Sequence, residues 1–319
     1  MNKAINPPMN DLIFRELLKR GYAVKGDKKV WDISDSKLWY LTPQQAQSFL
    51  DLESSTDYQK DVIQVEINLI KENVEDMMGM LGNEAVNIID LGCGDGKKAV
   101  LFIESLKNKV DFRYCPVDIS GFMVERAIDN IKKLNVGEVV DFQWNISDFE
   151  NLENISLILR HGKFKKNLIL LLGNTLGNFE INDLLYEIRS SMSSGDVLLI
   201  GNGLDNRKEE EILKSYSNSK VNDFLIHIMK QVGLKQEDLE FGARFKNSRV
   251  ELFYTFKKEN KISFHEREIE FDVGDEIVVA LSYKYDRDDF MSYLQMYFDE
   301  VQMKVSEDNG YALAFCRKT

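Results

Sequence analysis

Apolar positions along the chain follow two periods that exchange with one another. From about Tyr58 to Leu81, the residues Ile63, Ile67, Ile70, Val74, Met77 and Leu81 recur at spacings of three and four. That spacing predicts one amphipathic helix, ended by Gly82. Short apolar runs follow at Val86–Asp90, Phe112–Asp118, Val139–Trp144, Asn167–Leu172 and Asp196–Gly201. They read as strands, and helix-periodic segments at Gly96–Leu106, Gly121–Leu134 and Ile181–Met192 lie among them. Strands that alternate with helices predict βαβ units and a parallel sheet covered on both faces.

The flanking regions differ. A helix is predicted over Asp11–Arg20, with Asp11 as its N-cap and Gly21 as its stop. Residues 27–58 mix an aromatic cluster, Trp31, Trp39 and Tyr40, with a helix start at Thr42-Pro43. Residues 207–233 predict a helix. Arg244–Lys257 and Lys261–Phe271 are β-rich, joined by Lys258-Glu259-Asn260, and Val250, Leu252, Tyr254 and Phe256 alternate as in half-exposed antiparallel strands. Asp286–Asp299 returns to helix, and two strands at about 298–305 and 310–316 flank the hairpin turn Glu307-Asp308-Asn309-Gly310. The whole predicts a doubly wound α/β region interrupted by a smaller α+β insert, with the closing hairpin rejoining the parallel sheet.

Composition narrows the function classes. The 319 residues are 44% hydrophobic and 29% charged, which suits one large or two unequal globular domains and not a disordered or fibrous chain. A formal net charge of −12 makes nucleic acid and anionic membrane surfaces poor partners. No signal-type apolar run opens the chain, and Leu168–Leu172 is far too short to span a bilayer, so a cytoplasmic protein is expected. Cys93, Cys115 and Cys316 have neither disulfide nor zinc spacing and read as small buried residues. His161, His227 and His265 are isolated, so no metal site is expected.

The chemistry concentrates in Asp90-Leu91-Gly92-Cys93-Gly94-Asp95-Gly96-Lys97, which places three glycines between a predicted strand and a predicted helix. Glycines there let the backbone turn sharply and approach a ligand, and the helix start offers free N–H groups. Asp118, at the end of the next strand, is placed to accept both hydroxyls of a cofactor ribose. Asp148-Phe149 follows the third strand, where an acid beside an aromatic suits an adenine amino group and ring face. Each acid alone reads equally well as a cap or turn residue. Together they stand at the carboxyl ends of consecutive strands, where open α/β sheets bind ligands.

The order Asp-Leu-Gly-x-Gly-x-Gly resembles the first motif of Rossmann-like, class I S-adenosylmethionine-dependent methyltransferases. Adding Pro116-Val117-Asp118-Ile119-Ser120, Asp148-Phe149-Glu150, Gly173-Asn174-Thr175-Leu176-Gly177-Asn178-Phe179 and Gly274-Asp275-Glu276-Ile277, the chain resembles the histidine-specific methyltransferases. The resemblance implies S-adenosylmethionine as cofactor, held by Asp90, Gly92, Gly94, Gly96, Lys97 or Lys98, Asp118, Ser120, Asp148, Phe149 and Gly173. It implies a methyltransferase domain over 61–204 and 281–319, and a substrate-binding lobe over 1–60 and 205–280. It also implies that Asn178, Tyr216, Ser282 and Tyr58 contact the acceptor, with Asn178, Tyr216 and Tyr58 positioning the reacting amine. Two family features depart: the Phe-Asn-x-Asn run of the second lobe is here Phe224-Leu225-Ile226-His227, and the Glu of a Glu-x-Ser pair that grips imidazole is here Ala280. A site lacking that contact loses its basis for selecting histidine. The expected activity is therefore N-methylation of an amino acid or small amine other than histidine. Methylation of a protein side chain or N-terminus, and non-catalytic S-adenosylmethionine binding, are the alternatives. A bland reading of Asn178, as the cap of the helix after it, also stands at this point.

Overall fold

A computed structural model describes residues 10–55, 64–107, 109–206 and 208–319. The chain divides into two compact units, one running up to Leu52 and resuming in the insert that ends at Ser282, the other comprising Glu53–Asn206 and Tyr283–Thr319.

The first unit opens with α1 (Asp11–Arg20), which buries Ile13, Phe14 and Leu17. Its cap is Asn10, not Asp11: the Asn10 carboxamide oxygen accepts from the Leu12 N–H, while Asp11 pairs with Arg15 one turn on. A hairpin of β1 (Tyr22–Lys25) and β2 (Lys28–Asp32) follows, then α2 (Pro43–Glu53), which starts on a proline as a first-turn residue can.

The second unit begins with α3 (Gln64–Leu81); the predicted start of that helix, with Tyr58 and Ile63, lies outside the described residues. Then come β3 (Val86–Leu91), α4 (Lys97–Leu106), β4 (Phe112–Val117), α5 (Gly121–Lys132) and β5 (Glu138–Val139). After β5 follow α6 (Leu152–Leu159), β6 (Lys166–Leu171), α7 (Ile181–Ser191) and β7 (Val197–Gly203). The predicted strand Val139–Trp144 is cut to two residues, because the chain turns into a 3-10 helix at Gln143–Asn145. The buried Asn145 stabilises that turn by donating to the Pro116 carbonyl and accepting from the Phe142 N–H.

The insert returns to the first unit with α8 (Glu209–Tyr216) and α9 (Ser219–Gln231). The single predicted helix over 207–233 is broken here, where Asn218 caps α9 by accepting from the Val221 N–H. The two β-rich segments are each resolved into a hairpin: β8 (Leu239–Lys246) with β9 (Arg249–Phe256), and β10 (Asn260–Phe264) with β11 (Arg267–Phe271). Their two-residue turns, Asn247-Ser248 and His265-Glu266, hold both residues at positive φ, the backbone that matches the twist of paired strands. Strand β12 (Glu276–Tyr283) pairs in parallel with β2, giving a sheet ordered β1-β2-β12-β9-β8. That pairing joins the N-terminal segment to the insert. Trp31, Phe271 and Phe256 pack in sequence at its core, and the Trp39 indole N–H is satisfied by the Val279 carbonyl at 2.9 Å.

The second unit closes with α10 (Arg287–Tyr297) and the hairpin β13 (Glu300–Val305) and β14 (Tyr311–Arg317). Strand β14 pairs antiparallel with β7, completing a seven-stranded sheet ordered β13-β14-β7-β6-β3-β4-β5. The central strands are buried along nearly their whole length, as a doubly covered parallel sheet requires. The order reverses at β3, which lies between β4 and β6, so the carboxyl end of β3 is the topological switch point.

Ser248 sits at φ +55°, and a side chain there carries a steric cost of about 1 kcal/mol that glycine avoids. Ser248→Gly is expected to raise the unfolding midpoint in a thermal melt; an unchanged or lower midpoint would show that the turn is not strained.

Candidate active site

The loop that leaves β3 at the switch point is built from left-handed glycines. Gly94 lies at φ +51°, and a Cβ placed on it would meet no atom within 4 Å, so this side of the loop faces open space. Gly96 lies at φ +76°, and a Cβ there would come within 3.1 Å of both Cα and Cβ of Ala127 on α5. One glycine thus leaves room for a ligand and the other lets two helices close up.

Asp118 follows β4 and is almost fully buried. Its two oxygens accept from the backbone N–H groups of Gly94, at 3.2 Å, and Ser120, at 2.9 Å. A carboxylate offers about four lone-pair positions, so acceptor capacity is left over for a hydroxyl donor. Burial pushes the Asp118 carboxyl up to about 6, against the pull of the Ser120, Gly94 and Ile119 N–H groups. Asp90, at the end of β3, is likewise pushed up to about 6 by burial, opposed by the Tyr114 hydroxyl, which donates to it at 2.7 Å, and by the charge of Lys98. Asp118 and Glu66 add to the upward push.

The two adjacent lysines part company. Lys97 lies on the surface and pairs with Asp95, whereas Lys98 faces inward to Glu53 at 3.3 Å and Glu66 at 3.8 Å. Asp148 precedes a short 3-10 turn, Phe149–Asn151, and the Phe149 ring packs against Phe179 at 5.2 Å. After β6, Gly173 leads into Asn174, which adopts the left-handed conformation that asparagine tolerates. The Asn174 side-chain oxygen accepts from the Gly203 N–H at 2.9 Å, tying this turn to the end of β7. Asn178 ends the 3-10 turn Thr175–Asn178. It does not cap α7; Glu180 does, accepting from the N–H groups of Asn182 and Asp183. Among the described residues the Asn178 carboxamide makes no hydrogen bond.

In the first unit, Tyr216 at the end of α8 and Ser282 on β12 share a hydrogen bond of 2.8 Å. Ala280, two residues earlier on β12, is buried in the apolar core of that unit. Tyr58 lies outside the described residues. Among the described residues no three His, Cys, Asp or Glu gather as metal ligands. Among the described residues no helix is long and apolar enough to cross a membrane. All three cysteines are free and buried.

The sequence does not single out Glu66 or Tyr114, which bind Gly173 and Asp90, or Asn174, which ties the turn after β6 to β7. Glu66 carries a signal nonetheless: it stands three residues after Ile63 and four before Ile70, an acid on the apolar stripe of α3.

A carboxyl at about 6 in the fold, against an ordinary value of 3.8, takes up a proton on folding between those pH values. Its contribution to stability is complete below the lower value and is lost as pH rises through the upper one. Asp118→Asn lacks that titration. The melting temperature of the wild type is therefore expected to fall relative to Asp118→Asn from about pH 4 to pH 6.5 and to run parallel to it above that. Curves parallel throughout would show that Asp118 is not held protonated by burial.

Residues 48–318 match the sequence model of the histidine-specific, SAM-dependent methyltransferases. No curated protein matches the chain significantly. Among solved structures, it is similar to an S-adenosylmethionine-dependent methyltransferase from Clostridium acetobutylicum, at 14% identity over 85% of this chain and 98% of that one, with a TM-score of 0.44. A magnesium protoporphyrin IX methyltransferase from Synechocystis, with bound SAH, shares 11% identity over 87% of this chain and 95% of that one, with a TM-score of 0.44. The match over most of its length shows that the chain belongs to the histidine-specific, S-adenosylmethionine-dependent methyltransferase family.

Proposed function

We propose that the chain methylates the nitrogen of an amino acid or related small amine, and that histidine itself is not the acceptor. In this reading Asp118 takes the ribose hydroxyls of S-adenosylmethionine, while Asp148 and Phe149 take its adenine. The loop from Gly92 to Gly96, with Asp90, Lys98, Ser120 and Gly173, takes the remainder; Lys97, exposed and paired with Asp95, is left out of this set. The open side of Gly94 and the unused lone pairs of Asp118 support this assignment. When bound, the cofactor supplies a methyl group on a positively charged sulfur, which needs only an aligned nucleophile.

The protein's part is then to present a neutral amine in line. The observation that carries the acceptor reading is Asn178. Its carboxamide has no partner among the described residues, and it stands on the turn that follows β6, the strand next to the one bearing the glycine loop. An amide can accept an amine N–H with its oxygen and donate to a carboxylate with its nitrogen, the two groups of an amino acid. The family resemblance also assigns Tyr216 and Ser282, which share a hydrogen bond, to the acceptor. Ala280 brings a buried methyl where the family resemblance places a carboxylate for imidazole, which favours a less polar side chain on the acceptor.

The test is transfer of labelled methyl from S-adenosylmethionine into a cell extract, followed by separation of the products by size. Label in the small-molecule fraction is expected; label on macromolecules alone would move the assignment to a protein methyltransferase. No label, with S-adenosylmethionine binding confirmed by calorimetry, would favour a binding protein.

Two variants separate the roles. Asn178→Ala is expected to lower turnover by about 100-fold or more while S-adenosylmethionine affinity stays within about twofold. Asp118→Ala is expected to weaken S-adenosylmethionine binding itself. Cofactor binding lost in the first variant, or kept in the second, would overturn the corresponding assignment.

A further inference from the structure

Glu66 is a fully buried acid whose partners come from three distant parts of the second unit. Both carboxylate oxygens accept from the Gly173 N–H, at 2.9 and 3.2 Å. The Tyr311 hydroxyl, on β14, donates to the same carboxylate at 2.6 Å. The Lys98 ammonium, on α4, lies 3.8 Å away. Gly201 on β7 keeps the space clear: a Cβ there would meet the Glu66 carboxylate and come within 2.7 Å of the Tyr311 hydroxyl.

An apolar helix face has no structural need for this residue. Burying a carboxylate is costly unless charge and hydrogen bonds compensate it, and here an ammonium and two donors do so. Two of those partners belong to the site. Lys98 is the inward-facing lysine after the glycine loop, and the Gly173 N–H is the first donor of the turn that ends in Asn178. The other anchor of that turn is the Asn174–Gly203 bond. The turn that carries Asn178 is thus held at two points near its start, at Gly173 from α3 and at Asn174 from β7.

We infer that Glu66 is a positioning residue for methyl transfer, which holds the Gly173–Asn178 turn, and so Asn178, in its working place. It acts through the turn and touches neither the reacting nitrogen nor the methyl group. The inference rests on the proposed role of Asn178 in holding the acceptor. A carboxylate aimed at a backbone N–H is a stronger anchor than a neutral amide in the same place, and an alanine is none.

The test uses the full chain with Glu66→Gln, Glu66→Ala and Tyr311→Phe. Two quantities are measured: S-adenosylhomocysteine affinity by calorimetry, and the initial rate of labelled methyl transfer to the small-molecule fraction of a cell extract at saturating S-adenosylmethionine. The rate is expected to fall by about tenfold or more in Glu66→Ala, less in Glu66→Gln and least in Tyr311→Phe, with S-adenosylhomocysteine affinity within about threefold of wild type in the Gln and Phe variants. Glycine-selective ¹⁵N labelling adds a readout that overall stability does not move. One glycine amide proton resonance, that of Gly173, is expected to shift upfield in Glu66→Gln as its carboxylate acceptor becomes an amide. Unchanged rates in Glu66→Gln and Tyr311→Phe would overturn the inference. So would rate, affinity and melting temperature falling together in both, which marks a purely structural acid. Should Asn178→Ala prove fully active, it is the acceptor assignment that fails, whatever the Glu66 variants do.

Discussion

Three carboxyl groups buried at the carboxyl end of one sheet set the terms for the rest of the second unit. Asp90, Asp118 and Glu66 are each withdrawn from water, and each is compensated in a different way. Asp90 receives the Tyr114 hydroxyl from the neighbouring strand. Asp118 receives two backbone N–H groups, one from the glycine loop itself. Glu66 receives a backbone N–H, a tyrosine hydroxyl and an ammonium. Two of these compensations constrain a loop: Asp118 holds the glycine turn, and Glu66 holds the turn after β6. A fold selected for stability alone would have little reason to place three acids within electrostatic reach of one another. Their concentration falls at the end of the sheet where the cofactor is proposed to bind.

The first unit works on different terms. Its sheet forms only because β2 pairs with β12, so the N-terminal segment and the insert, far apart in sequence, share one core. Its polar groups are largely engaged in structural ion pairs: Arg244 bridges Glu251 and Glu276, and Arg249 and Lys28 complete the set. Against that background Tyr216 and Ser282 stand out as an uncharged hydroxyl pair.

The parallel sheet was legible in the sequence because its strands are continuous apolar runs bounded by glycines and acids, and those acids are the residues proposed to hold the cofactor. Asp90, Asp118 and the glycines stand out by their spacing at the ends of consecutive strands. The insert was harder to read. The turns at Asn247-Ser248 and His265-Glu266 contain no glycine, so two hairpins looked like two longer β segments. Strand β12 escaped because its pairing with β2 depends on a contact across most of the chain. The cap of α1 was misplaced by one residue because Asn10 and Asp11 are both good caps, and only geometry shows which one accepts the N–H. Lys97 and Lys98 could not be told apart by pattern; the helix phase fixed by Gly96 turns one outward and the other in. Glu66 went unread because a lone acid on an apolar stripe has no partner visible along the chain, its partners being contributed by β14, α4 and the turn after β6.

The central claim is that a buried Asp118 carboxylate receives the ribose of S-adenosylmethionine, and its most direct measurement is the dissociation constant of S-adenosylmethionine as a function of pH. The carboxyl stands at about 6 in the free protein, and hydroxyl donors favour its ionised form. Affinity is therefore predicted to be flat above about pH 7 and to weaken by up to about tenfold per pH unit below 6, with proton release on binding in that range. Affinity that stays constant from about pH 7.5 down to pH 5 would contradict a carboxylate at the heart of the cofactor site.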